Sequence, residues 1–355
     1  MTSRHLLAII AVIQGITLAL LVVLILFNRG VRDRQRAGVR PRRAALDEAM
    51  RAWTLADGPA GLGTVMTRLS RLPTNAAIDA LVAWSARLPA DRWQALAAKV
   101  TELRWAAAVR SWFTARQWWR RLQAARLLSV AATPADEPLL VALLGDSHSA
   151  VYIAAAGAIE RFESPTLVRA ALDRLPTLPT TVRAYYAALL RRVHAPVAAM
   201  LKERLARTDD AALPVFAEFA ARLGDPALRE ALTGLAGHGN AEVRVQVARA
   251  LGGFPHPNSV VALHALGNDA LWEVRAQAIR ALGRIADPSS LTILRERLRD
   301  SEWWVRLRAA LGLTRFGRGG HDALLAAETG ANADARYVSR LILGLSPQAL
   351  AEFAA

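Results

Sequence analysis

Seven histidines are the first candidates for metal or acid–base chemistry, at His5, His148, His194, His238, His256, His264 and His321. None forms the His-x-x-x-His pair that would put two imidazoles on one helix face, and none sits in a His-Glu pair. The chain has no cysteine, which removes thiolate nucleophiles, disulfides and Cys-based zinc sites. The glycines of 57-DGPAGLG-63 follow no strand and read as a loop rather than a phosphate cradle. Asp136-Glu137 and Asp209-Asp210 read as helix-start caps. No catalytic residue, metal ligand or cofactor is therefore expected, and the sequence points to a protein that is not an enzyme.

The remaining chemistry belongs to arginine and tryptophan. Only Lys99 and Lys202 among 45 basic residues are lysine. Trp272 and Trp303 each stand two residues before a recurring valine, with Trp118 in the same phase. They either bury ring area between neighbouring units or form an exposed aromatic edge for a partner. Trp304 takes the place that Glu273 holds one unit earlier, a polar position, so Trp304 is the member of the pair expected at the surface. Gln246, Arg249, Gln277, Arg280, Arg284, Arg308 and Arg315 are expected on exposed helix faces. They suit an acidic peptide, a phosphate or a nucleic-acid backbone, or are simply solvated. Seven of the ten tryptophans fall in the N-terminal half, where Trp118 and Trp119 open 118-WWRR-121. That region reads either as core filling or as an aromatic-basic contact surface.

The elements behind these residues repeat. Val151, Val182, Val243, Val274 and Val305 are separated by steps of 31, 61, 31 and 31, with Arg120 one step upstream and a last half-unit near Arg336. Such a fixed period means stacked helical units. The second helix of each unit carries an i, i+4, i+7, i+8 stripe, as in Val274, Ala278, Ala281 and Leu282. Breakers such as Asp287-Pro288 then open the next unit. Asp146, Asp269 and Asp300 recur in phase, as do Arg244, Arg275 and Arg306. Stacking would turn them into a ladder in which an Asp bonds the Arg or backbone of its neighbour.

Composition and charge complete the organisation. Hydrophobic residues make up 53% of the 355, and alanine, leucine and arginine favour helix nearly throughout. Residues 6–27 carry no charge over 22 positions, long enough to cross a bilayer as one helix. Seven arginines follow in 28–43 and only Arg4 precedes. The positive-inside bias predicts residues 1–5 outside and the body in the cytoplasm, as a single-pass protein of a bacterial inner membrane. Gly30, Gly38 and Pro41 suggest a loose linker over 28–43, where Arg32, Arg34, Arg36, Arg40, Arg42 and Arg43 either set topology or touch anionic lipid. Residues 1–43 hold eight arginines and one aspartate, a net +7, which leaves +8 for the other 312 residues.

The spacing of Asp146 to Val151, Asp269 to Val274-Arg275 and Asp300 to Val305-Arg306, with Ala-Leu-Gly tails at 250–252 and 281–283, resembles HEAT repeats of the short kind seen in phycobilisome-lyase-like families. The likeness is closest over 240–316, looser over 118–239 and faint over 44–117. The tetratricopeptide and ankyrin signatures are missing. The resemblance implies an all-α body: a right-handed α-solenoid of HEAT-like helix pairs over 118–355 and degenerate repeats over 44–117, preceded by the one N-terminal transmembrane helix that the charge-free run 6–27 predicts. It also implies second helices lining a concave face. The expected function is an adaptor that binds a protein partner at the cytoplasmic membrane face, for instance in a polysaccharide-synthesising complex. A nucleic-acid or anionic-polymer binder is the alternative, opposed by the anchor and the small body charge. A lyase-like HEAT enzyme is the other, and the His-Glu motifs of iron-dependent HEAT hydroxylases are absent.

Overall fold

The computed structural model describes residues 18, 20–22, 38–55, 61–162, 164–193, 196–207 and 211–354. Every regular element among them is helical. The apolar segment 6–27 lies outside the described residues except for Leu18, Leu20, Leu21 and Val22, which are helical and exposed. Among the described residues no helix is long and apolar enough to cross a membrane. Arg32, Arg34 and Arg36, and the Asp209-Asp210 pair, also fall outside them.

The chain divides into two compact units, Met1–Arg161 and Phe162–Ala355. The first unit holds α1 (38–55), α2 (Leu62–Ser70), α3 (Thr74–Ser85), α4 (Ala90–Thr101), α5 (Arg104–Arg110), α6 (Trp118–Ala131), α7 (Glu137–Leu144) and α8 (Ser149–Ala156). The short α9 (Ile159–Phe162) spans the boundary. Part of the stretch expected to be a loose linker is helical: Gly38, Arg40, Pro41, Arg42 and Arg43 belong to α1. Arg43 pairs with Asp47 at 3.1 Å and Arg42 donates to the Arg71 carbonyl, so both serve the unit's own packing. Trp53, Trp84 and Trp93 are buried in its core. The Trp84 and Trp93 indoles donate to Asp47 and to the Val130 carbonyl, which satisfies their polar ends.

The second unit holds α10 (Pro165–Arg174), α11 (Thr180–Leu190), α12 (Val197–Leu205), α13 (Leu213–Leu223), α14 (Arg229–Gly234), α15 (Ala241–Leu251), α16 (Pro257–Leu266), α17 (Trp272–Ile285), α18 (Leu291–Arg297), α19 (Trp303–Leu313), α20 (Gly317–Glu328), α21 (Ala333–Leu343) and α22 (Pro347–Ala354). From α10 to α21 these form successive pairs. Second helix packs on second helix through α11, α13, α15, α17, α19 and α21. The stripes predicted from period 3.6 are buried: Val243, Val247, Ala250 and Leu251 in α15, and Val274, Ala278, Ala281 and Leu282 in α17. Three of the first helices, α10, α14 and α18, are entered through Asp-Pro or Ser-Pro steps. The side chains of Ser164, Asp225 and Asp287 accept from the backbone two residues on, each with proline next in the chain. Small residues set how closely the second helices approach. A methyl group on Gly283 would lie 2.6 Å from the Gly312 Cα, and one on Gly252 2.8 Å from the Ala281 Cβ.

Candidate functional site

Second helices α17 and α19 have no side-chain cap of their own. The aspartate two residues before the N-cap supplies the turn instead. Asp269 accepts from the Leu271 N–H at 2.9 Å and Asp300 from the Glu302 N–H at 3.0 Å. The arginine that follows the buried valine reads both sides of that turn. Arg275 Nη1 donates to the Asp269 and Ala270 carbonyls, while its Nε and Nη2 fork onto Asp300 of the next pair at 2.9 and 2.8 Å. Arg244 does the same with His238, Gly239 and Asp269. In the first unit Arg121 does so with Ala115, Arg116 and Asp146. Arg306 caps Asp300 and Ser301 and reaches Asp334 at 3.5 Å.

Three of these carboxylates are held below their ordinary range. Burial alone would raise Asp146, Asp269 and Asp300, but the arginine fork, the turn N–H and the arginine charge together outweigh it. Arg121 and Asp334 are ladder members the sequence reading did not single out. The signal for Arg121 was the phase, since it lies one residue after Arg120 in the same frame; Asp334 stands outside the phase, because the aspartate's place six residues before Arg336 is taken by Gly330. The ladder is interrupted at α13, where Pro214 stands near the arginine's phase. There Glu218 takes the role, within 2.7 Å of Arg183 and 2.9 Å of Arg222.

The two tryptophans at the start of α19 diverge. Trp303 is half-buried, its ring tilted against Tyr337 with centroids 5.7 Å apart. Trp272 is likewise half-buried. Trp304 is 53% exposed and stands at a groove across α15, α17 and α19. The groove encloses about 480 Å³, and Arg249, Arg280, Arg284, Arg308 and Arg315 line it with no carboxylate among them. Ala281, Gly283 and Gly312 also line it, and Leu307 and Leu311 add apolar surface. Leu311 occupies the place that Arg280 and Arg249 hold in the two preceding pairs, a 31-residue relation that would have marked it. Gln277 lines the groove as well. Gln246, expected at the surface, is buried, with its amide donating to Glu242 at 2.6 Å.

The groove's cations crowd one another. Burial, then the Arg280 and Arg315 charges, depress the Arg284 guanidinium; burial, then Arg280 and Arg249, depress Arg308. Arg284 Nε donates to the Gly252 carbonyl at 2.8 Å, whereas Arg308 Nη1 is buried without a hydrogen-bond partner. A buried donor left unsatisfied costs on the order of 1–3 kcal/mol, more when charged, so this atom favours an incoming acceptor.

A second concavity lies in the first unit, lined by Arg116, Trp118, Trp119, Arg121 and His148 among others. The Trp118 ring stacks on His148 with centroids 4.0 Å apart and 3° between planes, and Trp119 is 55% exposed. His148 Nδ1 accepts from the Ala150 N–H, which ties that ring to the start of α8. Among the described residues no His/Asp/Glu group is arranged to hold a metal. His264 Nε2 lies 2.9 Å from Ser290 Oγ, but Ser290 is fully buried and offers no nucleophile to a substrate.

Residues 228–314 and 261–344 match the HEAT repeats family. No curated protein matches the chain. Among solved structures, an engineered protein is 18% identical over 82% of this chain and 91% of its own, with a TM-score of 0.33. Human deoxyhypusine hydroxylase in complex with glycerol is 19% identical over 79% and 98%, with a TM-score of 0.31. A chain of the Pds5-Scc1 complex is 12% identical over 77% and 61%, with a TM-score of 0.33. Residues 228–344, which hold the whole Arg-lined groove, are HEAT-like repeats in an all-helical body.

Proposed function

We propose that the chain is a non-catalytic, membrane-anchored adaptor that docks a protein partner on the second-helix face of α15, α17 and α19. The observation that carries this reading is the pairing of an exposed Trp304 with five arginines and no acid around one groove. Tryptophan and arginine are enriched among the few residues that dominate binding at protein interfaces, and a partly desolvated cationic pocket rewards a complementary acid. The charge-free segment 6–27 and its arginine flank support an anchor with the body on the cytoplasmic side. An anchored array raises the local concentration of its partner at the bilayer without any chemistry. The partner would itself sit in a membrane complex, a polysaccharide-synthesising one being an example.

The test is a pull-down of the full chain from mild detergent, beside Trp304→Ala and Arg280→Glu. A stoichiometric partner retained by the parent and lost from both variants supports the reading. A partner held equally by all three, or none at all, removes it.

A further inference from the structure

The groove's cations are arranged in register. Arg249 and Arg280 lie 31 residues apart, as do Arg284 and Arg315, while Arg308 stands one step after the neutral Gln277. Each step is one helix pair, so equivalent side chains are displaced by one second-helix spacing. Packed helices lie 8–10 Å apart, roughly 9 Å here by that rule. A polyproline II segment rises about 3.1 Å per residue and turns once every three residues. Three residues then advance about 9 Å and return to the same face. Carboxylates at every third position of such a segment would meet successive second helices from one side.

From this register we propose that the groove binds an extended, acidic, proline-containing peptide segment with carboxylates three residues apart. The reading rests on the adaptor function above and names the chemistry of its partner. Trp304 at the groove supplies the flat aromatic surface on which proline rings stack in polyproline II recognition. The unpartnered Nη1 of Arg308 and the mutual crowding of Arg280, Arg284 and Arg308 are relieved by incoming carboxylates. Single-stranded nucleic acid fits less well. It calls for aromatic rings under successive bases, and this groove offers one.

The experiment titrates the full-length chain in neutral detergent with three synthetic peptides and one oligonucleotide. One peptide places three glutamates at every third position with Ser-Pro between them. The second carries the same three glutamates at every second position with single prolines. The third replaces glutamate by glutamine at the period-three sites. Peptide anisotropy is the readout, beside the change in intrinsic fluorescence compared between the parent and Trp304→Ala, since ten tryptophans contribute to it. The period-three acidic peptide should bind about tenfold tighter than the period-two peptide, and the glutamine peptide should not bind. Arg280→Glu should abolish binding, and Trp304→Ala should weaken it while the thermal unfolding midpoint stays near the parent's. Equal affinity for both spacings, tighter binding of the oligonucleotide, or no binding of any peptide overturns the proposal. A partner that still copurifies and depends on Trp304 while every peptide fails would sink the peptide chemistry and leave the adaptor reading standing. Binding of the period-three peptide with no copurifying partner would do the reverse.

Discussion

Asp300 shows how much one side chain carries. It accepts a bidentate fork from Arg275, a further ionic contact from Arg297 at 3.6 Å and the Glu302 N–H, with 2% of its side chain exposed. Asp300→Ala leaves two guanidinium groups and a turn N–H without their acceptor. Removing one partner of a buried pair costs about 3–5 kcal/mol, and the loss should appear in the urea unfolding free energy. The same groups set an acid limit. Folded carboxyls at Asp146, Asp269 and Asp300 lie below their unfolded value of about 3.9, so their stabilisation is complete above that pH. It is lost as pH falls through the folded values. The urea midpoint should therefore be flat from neutral pH down to about pH 5 and fall below about pH 4, and Asp269→Asn with Asp300→Asn should flatten that fall. A midpoint that falls equally in the double variant would remove the assignment. The spacing of Asp269 to Arg275 and of Asp300 to Arg306 was visible in the sequence, because repetition copies a contact at each step. The division of each arginine between its own turn and the next pair was not, since it depends on which way the guanidinium fork points.

At the scale of the element, the second helices were the legible part. Their buried valines and alanines keep a strict face, and the breakers before α10, α14 and α18 are Asp-Pro and Ser-Pro steps whose local hydrogen bonds are their own explanation. The irregular first unit was harder to read. Helix α1 includes Gly38 and Pro41, because Met50 and Trp53, further along the same helix, bury in the core and tertiary packing overrides local propensity. The groove was half legible: the arginines could be named, but the approach of α17 to α19 depends on Gly283 facing Gly312. That contact makes a prediction. Gly283→Val adds bulk where even one methyl group would lie 2.6 Å from a backbone atom, so α17 and α19 must separate. Overpacking of this kind costs about 1–3 kcal/mol. The measurement is the thermal midpoint, which should drop by several degrees. A companion Gly234→Ala, where a methyl group meets nothing within 4 Å, should leave it unchanged or slightly raised.

At the scale of the molecule, charge is unevenly divided, and that division separates two electrostatic roles. Residues 1–43 carry +7 and the remaining 312 carry +8, so the first segment is far denser in charge than the body. If the first segment sets topology beside a bilayer-crossing 6–27, its arginines keep the body on the cytoplasmic side. Protease added to sealed inverted vesicles should then digest the body, while right-side-out spheroplasts should protect it. A body protected in inverted vesicles would overturn the orientation. The groove's arginines act on a different quantity, the partner's affinity. Opposite charges meeting at a partly desolvated site are screened by salt less than those on open surface. Raising ionic strength should therefore slow the partner's association more than it speeds release, because steering acts at long range and the desolvated pairs at short range. Arg315→Gln, at the exposed end of the groove, should reduce mainly the association rate. Arg308→Gln, whose Nη1 is buried, should raise mainly the dissociation rate. Surface plasmon resonance on captured full-length chain reads both constants. Equal effects of the two variants on the same rate would mean that the arginines act as one diffuse field, and the groove would lose its standing as a built site.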